Sequence, residues 1–190
     1  MTATSAPTMR QRIVAAAVEL TTTSGWARVT MSRIAERVGV SRQTVYNEVG
    51  AKDGLAEAMI LAELDRFLLL VTEAFDAHPT DLVEAIRAAS RAVLELAQDN
   101  RLLHAVVSAT HGADTELLPL LTTHAGSLLA AAKGVVAERV APYDVGVPAE
   151  RLGGAIDMVV RVVLSHVMQP TAAPRDTADD IAWIVGRVLR

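Results

Sequence analysis

The amino-acid sequence predicts an all-α fold, and three observations carry that reading. Aromatic residues are only 3% of the 190; Val, Ile and Thr do not cluster with two-residue alternation between turn signals; and Ala, Leu, Glu and Arg recur at helical spacing. Hydrophobic residues at 51% against 21% charged exclude a disordered chain, which lacks the apolar surface that offsets ordering entropy. The absence of cysteine excludes a disulfide framework, thiolate metal sites and thiol enzymes. The longest stretch without a formal charge, Leu117 to Ala132, has 16 residues and contains Pro119 and His124, short of the roughly 20 apolar residues that a bilayer span needs. The opening "MTATSAPTMRQR" places its basic residues after a polar stretch rather than before an apolar one, unlike a secretion signal, so a cytoplasmic protein without membrane attachment is expected.

The first helix is expected from Met9 to Ser24, capped by Thr8, with Ile13, Val14, Ala17, Val18 and Leu20 as its apolar stripe and Gly25 as its end. Trp26 follows that glycine and is expected to pack the core of the small module. Thr30 caps a second, short helix over Met31 to Val38, whose Ile34, Ala35 and Val38 share a face. Gly39 then supplies the left-handed conformation of a tight inter-helix turn. Ser41 caps the third helix, and Val40 and Val45 stand at the spacing of a hydrophobic staple, which fixes the entry angle.

Counting about 100° per residue from Val45, Gln43 and Asn47 point away from the core, Thr44 and Tyr46 flank them, and Arg42 projects from the first turn. A short helix, a glycine turn and a capped helix with this polar face match a helix-turn-helix, whose second helix enters the major groove N-terminus first. Arg42 can bond guanine bidentately, Gln43 and Asn47 can do so with adenine, and the Thr44 methyl can meet a thymine methyl. The Tyr46 hydroxyl can reach a phosphate. Charge supports this: residues 1–54 carry a net +3 and the remaining 136 a net −7, so a basic face sits on an acidic chain whose other surfaces discourage phosphate.

The segment "VTMSRIAERVGVSRQTVYNEVGAKDGLAEAMI", Val29 to Ile60, resembles the N-terminal signature of the tetracycline-repressor (TetR) family of bacterial transcription regulators, a likeness that covers about 50 residues. The resemblance implies a homodimer of all-helical subunits with about nine helices each. A helix-turn-helix domain over residues 8–52 would be joined by helix four to an effector-binding and dimerisation domain over residues 53–190. Carried over position by position, it assigns phosphate contacts to Thr30, Tyr46 and Lys52, and base or groove contacts to Arg42, Gln43, Thr44 and Asn47. Lys52 also makes sense as a flexible cation beside Gly50 at the entry to helix four. Two residues depart from the family pattern: Glu48 stands where histidine is frequent, and Val49 where phenylalanine is. Glu48 can accept from a cytosine amino group, repel phosphate, or pair with an arginine of the module, and the last is the expectation.

Beyond Lys52, punctuation divides the chain. Helix four should run to Ala77 before "HP", helix five from Thr80 to Gln98, helix six from Asn100 to Thr110 and helix seven from Asp114 to Ala141. After the loop "PYDVGVP", helix eight should cover Ala149 to Met168, and after "QPTAAP" helix nine should run from Asp176 to the end. The resemblance places the dimer seam on these last two. "AIDMVVRVVLSHVM" is apolar on almost every side and needs burial on more than one face, and Ile181, Ile184, Val185, Val188 and Leu189 form a stripe.

An effector pocket, expected among helices four to eight, would draw on Leu64, Phe67, Leu68, Leu103, Val106, Val107, Leu121, Leu128 and Met158, side chains that core packing explains equally well. With few aromatics, these suit a flexible, lipid-like effector. Asp157 and Arg161, spaced i,i+4 in an apolar helix, read first as a structural ion pair and second as a holder of an effector's polar group.

No cofactor and no metal site are expected. His104, His111 and His124 lack a carboxylate at ligand spacing, although imidazole suits Zn and Ni. An enzyme is the main rival class, but no Glu-x-x-His pair occurs, as helical di-iron centres require. Asp176, Asp179 and Asp180 more simply favour a helix N-terminus. The expected protein is therefore a ligand-responsive repressor that binds a palindromic operator as a homodimer and leaves it when a small hydrophobic effector binds. The alternatives are an effector-independent DNA-binding protein or an activator.

Overall fold

The computed structural model describes residues 6–104 and 125–188. Among them every regular element is helical. The α-helices are α1 (Met9–Ser24), α2 (Met31–Val38), α3 (Arg42–Val49), α4 (Lys52–Ala77), α5 (Leu82–Asp99), α6 (Ala125–Val140), α7 (Ala149–Met168) and α8 (Pro174–Val188). A 3-10 turn covers Trp26–Arg28, and residues 101–104 are helical as well. The remainder of the sixth expected helix, the start of the seventh, and Val106, Val107, His111, Leu121, His124 and Leu189 lie outside the described residues.

The chain divides into two compact units: residues 6–63 with 101–104, and residues 64–100 with 125–188, in their described parts. α4 contributes to both. In the first unit, α1 to α3 begin where the sequence placed them because each has a side-chain cap. Thr8 and Gln11 form a reciprocal capping box, Thr30 accepts from the Arg33 amide at 3.3 Å, and Ser41 accepts from the Thr44 amide at 3.0 Å. Gly39 is left-handed at φ 77°, as the turn between α2 and α3 demands. The core gathers Ile13, Ala17, Val29, Ile34, Val45, Leu55 and Met59, with Val40 packed at its edge. Trp26 is buried in the same core. Val49 is buried too, so the smaller side chain still fills its place.

The second unit is organised around α5, whose buried Leu82, Ala85, Ile86, Ala89, Val93 and Leu94 follow helical spacing. α8 lies along it through Ala178, Ile181, Ala182 and Val185, alanines on both helices allowing close approach. Two helix starts differ by two residues from the sequence reading. α5 starts at Leu82 because Asp81, not Thr80, is the cap: the Asp81 amide bonds His78 O at 3.2 Å, closing a turn over residues 79–80, and its carboxylate accepts from the Glu84 amide at 3.0 Å. α8 starts at Pro174 rather than Asp176, since proline is preorganised for the first helical position and has no N–H to leave unpaired there.

Candidate nucleic-acid interface

Four of the seven side chains expected at DNA converge on one cleft of the first unit. Thr30, Arg42, Tyr46 and Lys52 line a cavity of about 290 Å³, together with Ser32 and an apolar floor that includes Met31 and Leu55. The cleft lies at the starts of α2 and α4, where backbone amides point outward and favour anions. Residue 51, just before α4, is alanine, which offers no side-chain acceptor to those amides. Hydroxyl, guanidinium, phenol and ammonium groups around such a notch have the chemistry to hold a phosphate. Lys52 Nζ also stands 5.0 Å from the Trp26 ring centroid, a cation–π contact that ties its stem to the core.

The other three side chains form the outward face of α3. Gln43 and Asn47 are exposed, and the Gln43 amide Nε2 donates to Asn47 Oδ1 at 2.9 Å. Thr44 is half-buried, its hydroxyl 2.9 Å from Ser41 Oγ, so the methyl is what it can offer a base.

Charge in this unit is distributed less simply than a count suggests. Of the seven basic residues in 1–54, four arginines are engaged within the unit, besides the contact of Lys52 with Trp26. Arg10 donates to the main-chain carbonyl of Glu48, and Arg12 to that of Val38 at 2.9 Å, so two arginines of α1 cap the C-termini of α3 and α2, where the helix dipole favours a cation. Arg33 donates to Arg28 O at 2.9 Å, and Arg37 forms an ion pair with Glu19. This corrects the expectation for Glu48: an arginine does meet it, but at the carbonyl, and no ion pair of its carboxylate is present among the described residues.

Small-residue chemistry fixes how α3 hands over to α4. Gly50 has φ 72°, a conformation that L side chains rarely adopt. A Cβ on Gly54 would come closer than 3.0 Å to the Val49 carbonyl oxygen. Sequence reasoning missed Gly54, since a glycine inside a helix gives no local sign of a backbone approaching it.

In the second unit, α7 packs one side on the core and turns Met158, Val162, Leu164 and Met168 to the surface. α8 does the same with Trp183, Ile184 and Val188, which are 64%, 54% and 54% exposed. Thus Ile181 and Val185 of the expected stripe belong to the interior and Ile184 and Val188 to the outside. Trp183, which was not anticipated, dominates the outer face, with the Arg187 guanidinium 5.3 Å from its ring centroid.

The described residues expected at an effector fall in both units. Leu64, Phe67, Leu68 and Leu128 are half-buried in the second unit, and Phe67 packs on its core. Leu103 is half-buried in the first unit. Met158, at 64% exposed, and Arg161 lie on the exposed side of α7, whose interior side carries Ile156 and Val160.

Asp157 receives two bonds, from Lys133 Nζ at 2.8 Å and Arg161 Nε at 2.7 Å. Hydrogen bonds from Lys133 and then Arg161 hold its carboxyl below the usual range. Lys133 is the partner that the sequence did not reveal, since it lies 24 positions away. A further tie pins the C-terminal end of α4: the Tyr143 hydroxyl donates to His78 O at 2.8 Å, with Phe75 O at 3.3 Å, and Arg139 pairs with Asp76 at 2.7 Å.

Among the described residues no His, Asp and Glu side chains gather as a metal site, and no helix is long and apolar enough to cross a membrane.

Residues 13–59 match the family described as bacterial regulatory proteins, tetR family. Residues 81–187 match the C-terminal domain of the bacterial tetracyclin repressor. The HTH-type transcriptional regulator AlkX of Mycobacterium tuberculosis is 28% identical over 177 residues, covering 93% of this chain and 83% of that protein. The crystal structure of the TetR family repressor AlkX from Dietzia sp. strain DQ12-45-1b superposes with a TM-score of 0.73 at 26% identity, over 96% of this chain and 98% of that one. The regulator SCO7518 from Streptomyces coelicolor A3(2) shares the fold, with a TM-score of 0.65 at 17% identity over 93% and 97% of the two chains.

Proposed function

Because the chain belongs to the TetR family of DNA-binding transcriptional regulators, we propose that it is a repressor. As a homodimer it grips a palindromic operator and releases it when a small hydrophobic effector binds. The observation that carries this reading is the division of labour in the first unit: four anion-suited side chains line one cleft, while Gln43, Thr44 and Asn47 occupy the neighbouring outward face of α3. Phosphate contacts then set the register, and α3 reads base edges in the major groove.

The homodimer is supported by the apolar surface of α7 and α8, where Trp183, Ile184 and Val188 are more than half exposed, since water-facing patches of this kind mark association sites. Two copies related by a two-fold axis would present their α3 helices to successive major grooves about 34 to 36 Å apart.

The effector reading rests on the supply of leucine, valine and methionine in α4, α6 and α7, which pack alkyl chains without imposing planarity. The Dietzia repressor, implicated in biodegradation of n-alkanes, points to the same chemistry. An effector that prefers a second arrangement of α4 lowers the operator-competent population by its differential affinity.

The test begins with selection of duplexes from a random pool by the purified protein, followed by release measured with dodecane, lauric acid and a flat aromatic compound in turn. A palindrome released by an aliphatic probe supports the reading. Release by the aromatic compound alone contradicts the effector assignment, and failure to enrich any sequence contradicts the whole.

A further inference from the structure

We propose that Gln43 and Asn47 read one operator position as a single jointed unit, in which Asn47 orients Gln43. The two are not independent adenine readers. This inference rests on α3 being the base-reading helix.

Both side chains are exposed and four positions apart, the spacing at which helix side chains meet. The Gln43 Nε2 to Asn47 Oδ1 bond, at 2.9 Å, divides their hydrogen-bonding capacity unequally. A carboxamide has two N–H donors and one carbonyl oxygen. Gln43 uses one N–H on Asn47 and keeps the other N–H together with Oε1. That remaining pair is what bidentate recognition of adenine requires, an N–H to N7 and an oxygen to the N6 amino group.

Asn47 Oδ1 accepts from Gln43, so the Asn47 amide is turned toward Gln43 and is poorly placed to present a donor-and-acceptor pair of its own to adenine. Orienting Gln43 before DNA arrives also removes part of the ordering cost that a long, flexible side chain otherwise incurs on binding.

Thr44 is turned toward Ser41, and Tyr46 belongs to the cleft. Asn47 is thus a positioning residue, and the base it affects should be the one Gln43 reads.

The experiment compares wild type, Gln43→Ala, Asn47→Ala, the double variant and Asn47→Asp. Binding is measured on the duplex that the wild type selects and on its single base-pair replacements. Gln43→Ala should lose roughly tenfold or more of the preference at one base pair. Asn47→Ala should lose preference at that same base pair, and the double variant should lose no more than Gln43→Ala. Asn47→Asp keeps an oxygen for the Gln43 N–H, so the preference should survive while affinity for every duplex falls, because the new charge repels phosphates.

Loss of preference at a different base pair, or additive losses in the double variant, would overturn the inference while leaving operator reading by α3 intact. Enrichment of no sequence by the wild type would remove that reading and this inference with it.

Discussion

Two glycine-to-alanine changes should move stability in opposite directions. In an exposed helix interior, alanine is favoured over glycine by about 0.5 to 1 kcal/mol, through propensity and reduced freedom of the unfolded chain. Gly134 in α6 meets that condition, since a Cβ there finds nothing within 4 Å. Gly54 in α4 does not, because its Cβ would fall closer than 3.0 Å to the Val49 carbonyl oxygen, a backbone atom that cannot rotate away. Relief requires α3 and α4 to separate, and overpacking of this kind costs about 1 to 3 kcal/mol. Subtracting the propensity gain leaves a net loss of up to about 2.5 kcal/mol, and each kcal/mol is worth about 2 to 4 °C of Tm in a chain of this size. Thermal denaturation of both variants at one fixed protein concentration, which matters if the chain dimerises, measures the effect. Gly134→Ala should melt above wild type and Gly54→Ala below it, with weakened DNA binding even where Gly54→Ala is folded, since the strain falls on the end of α3. A Gly54→Ala protein as stable as wild type, with unchanged DNA affinity, would refute the close-approach reasoning.

Tyr46→Ala and Lys52→Ala should each weaken binding to all duplexes and reduce the salt slope of log K by about one phosphate equivalent; the check is titration across a range of KCl concentrations, and an unchanged slope removes the residue from the phosphate set. Asp157 has a carboxyl held below its ordinary range, so its stabilisation is present above the unfolded value and is lost as pH falls through the folded one. Acid unfolding curves should show Asp157→Asn with a shallower loss of stability at acidic pH than wild type, and parallel curves would contradict the tie to Lys133 and Arg161. Trp183→Glu, placed on a surface residue that is 64% exposed, should leave the helical content unchanged and give a monomer by sedimentation; a dimer of undiminished affinity would move the seam elsewhere.

What was legible in the sequence was local. Thr8, Thr30 and Ser41 declare three helix starts because a cap and its amide lie three residues apart, and Val40 with Val45 fixes the entry to α3 on the same scale. The outward set on α3 follows from angular counting alone. Where two cap-forming residues are adjacent, as Thr80 and Asp81 are, composition cannot choose; the turn over residues 79–80 chooses Asp81.

Features missed by the sequence reading depend on distance along the chain. Lys133 reaches Asp157 across 24 positions and Tyr143 reaches His78 across 65, separations at which no pattern of spacing is informative. The arginines of α1 carry positive charge in any count, yet Arg10 and Arg12 point it at the helix ends of α3 and α2, so net charge overstated what the first unit has available for phosphate. The i,i+4 placement of Gln43 and Asn47 was visible. Their mutual bond, which changes what each offers a base, was not.

The most direct test of the account is the stoichiometry and spacing requirement of the protein on its selected duplex, measured by sedimentation with labelled DNA. Two chains should bind one palindrome cooperatively, and inserting about half a helical turn (roughly 5 base pairs) between the half-sites should abolish that binding, because two yoked α3 helices cannot then face the same side of the duplex. Binding of equal strength to random competitor at moderate ionic strength, or indifference to the insertion, would contradict it.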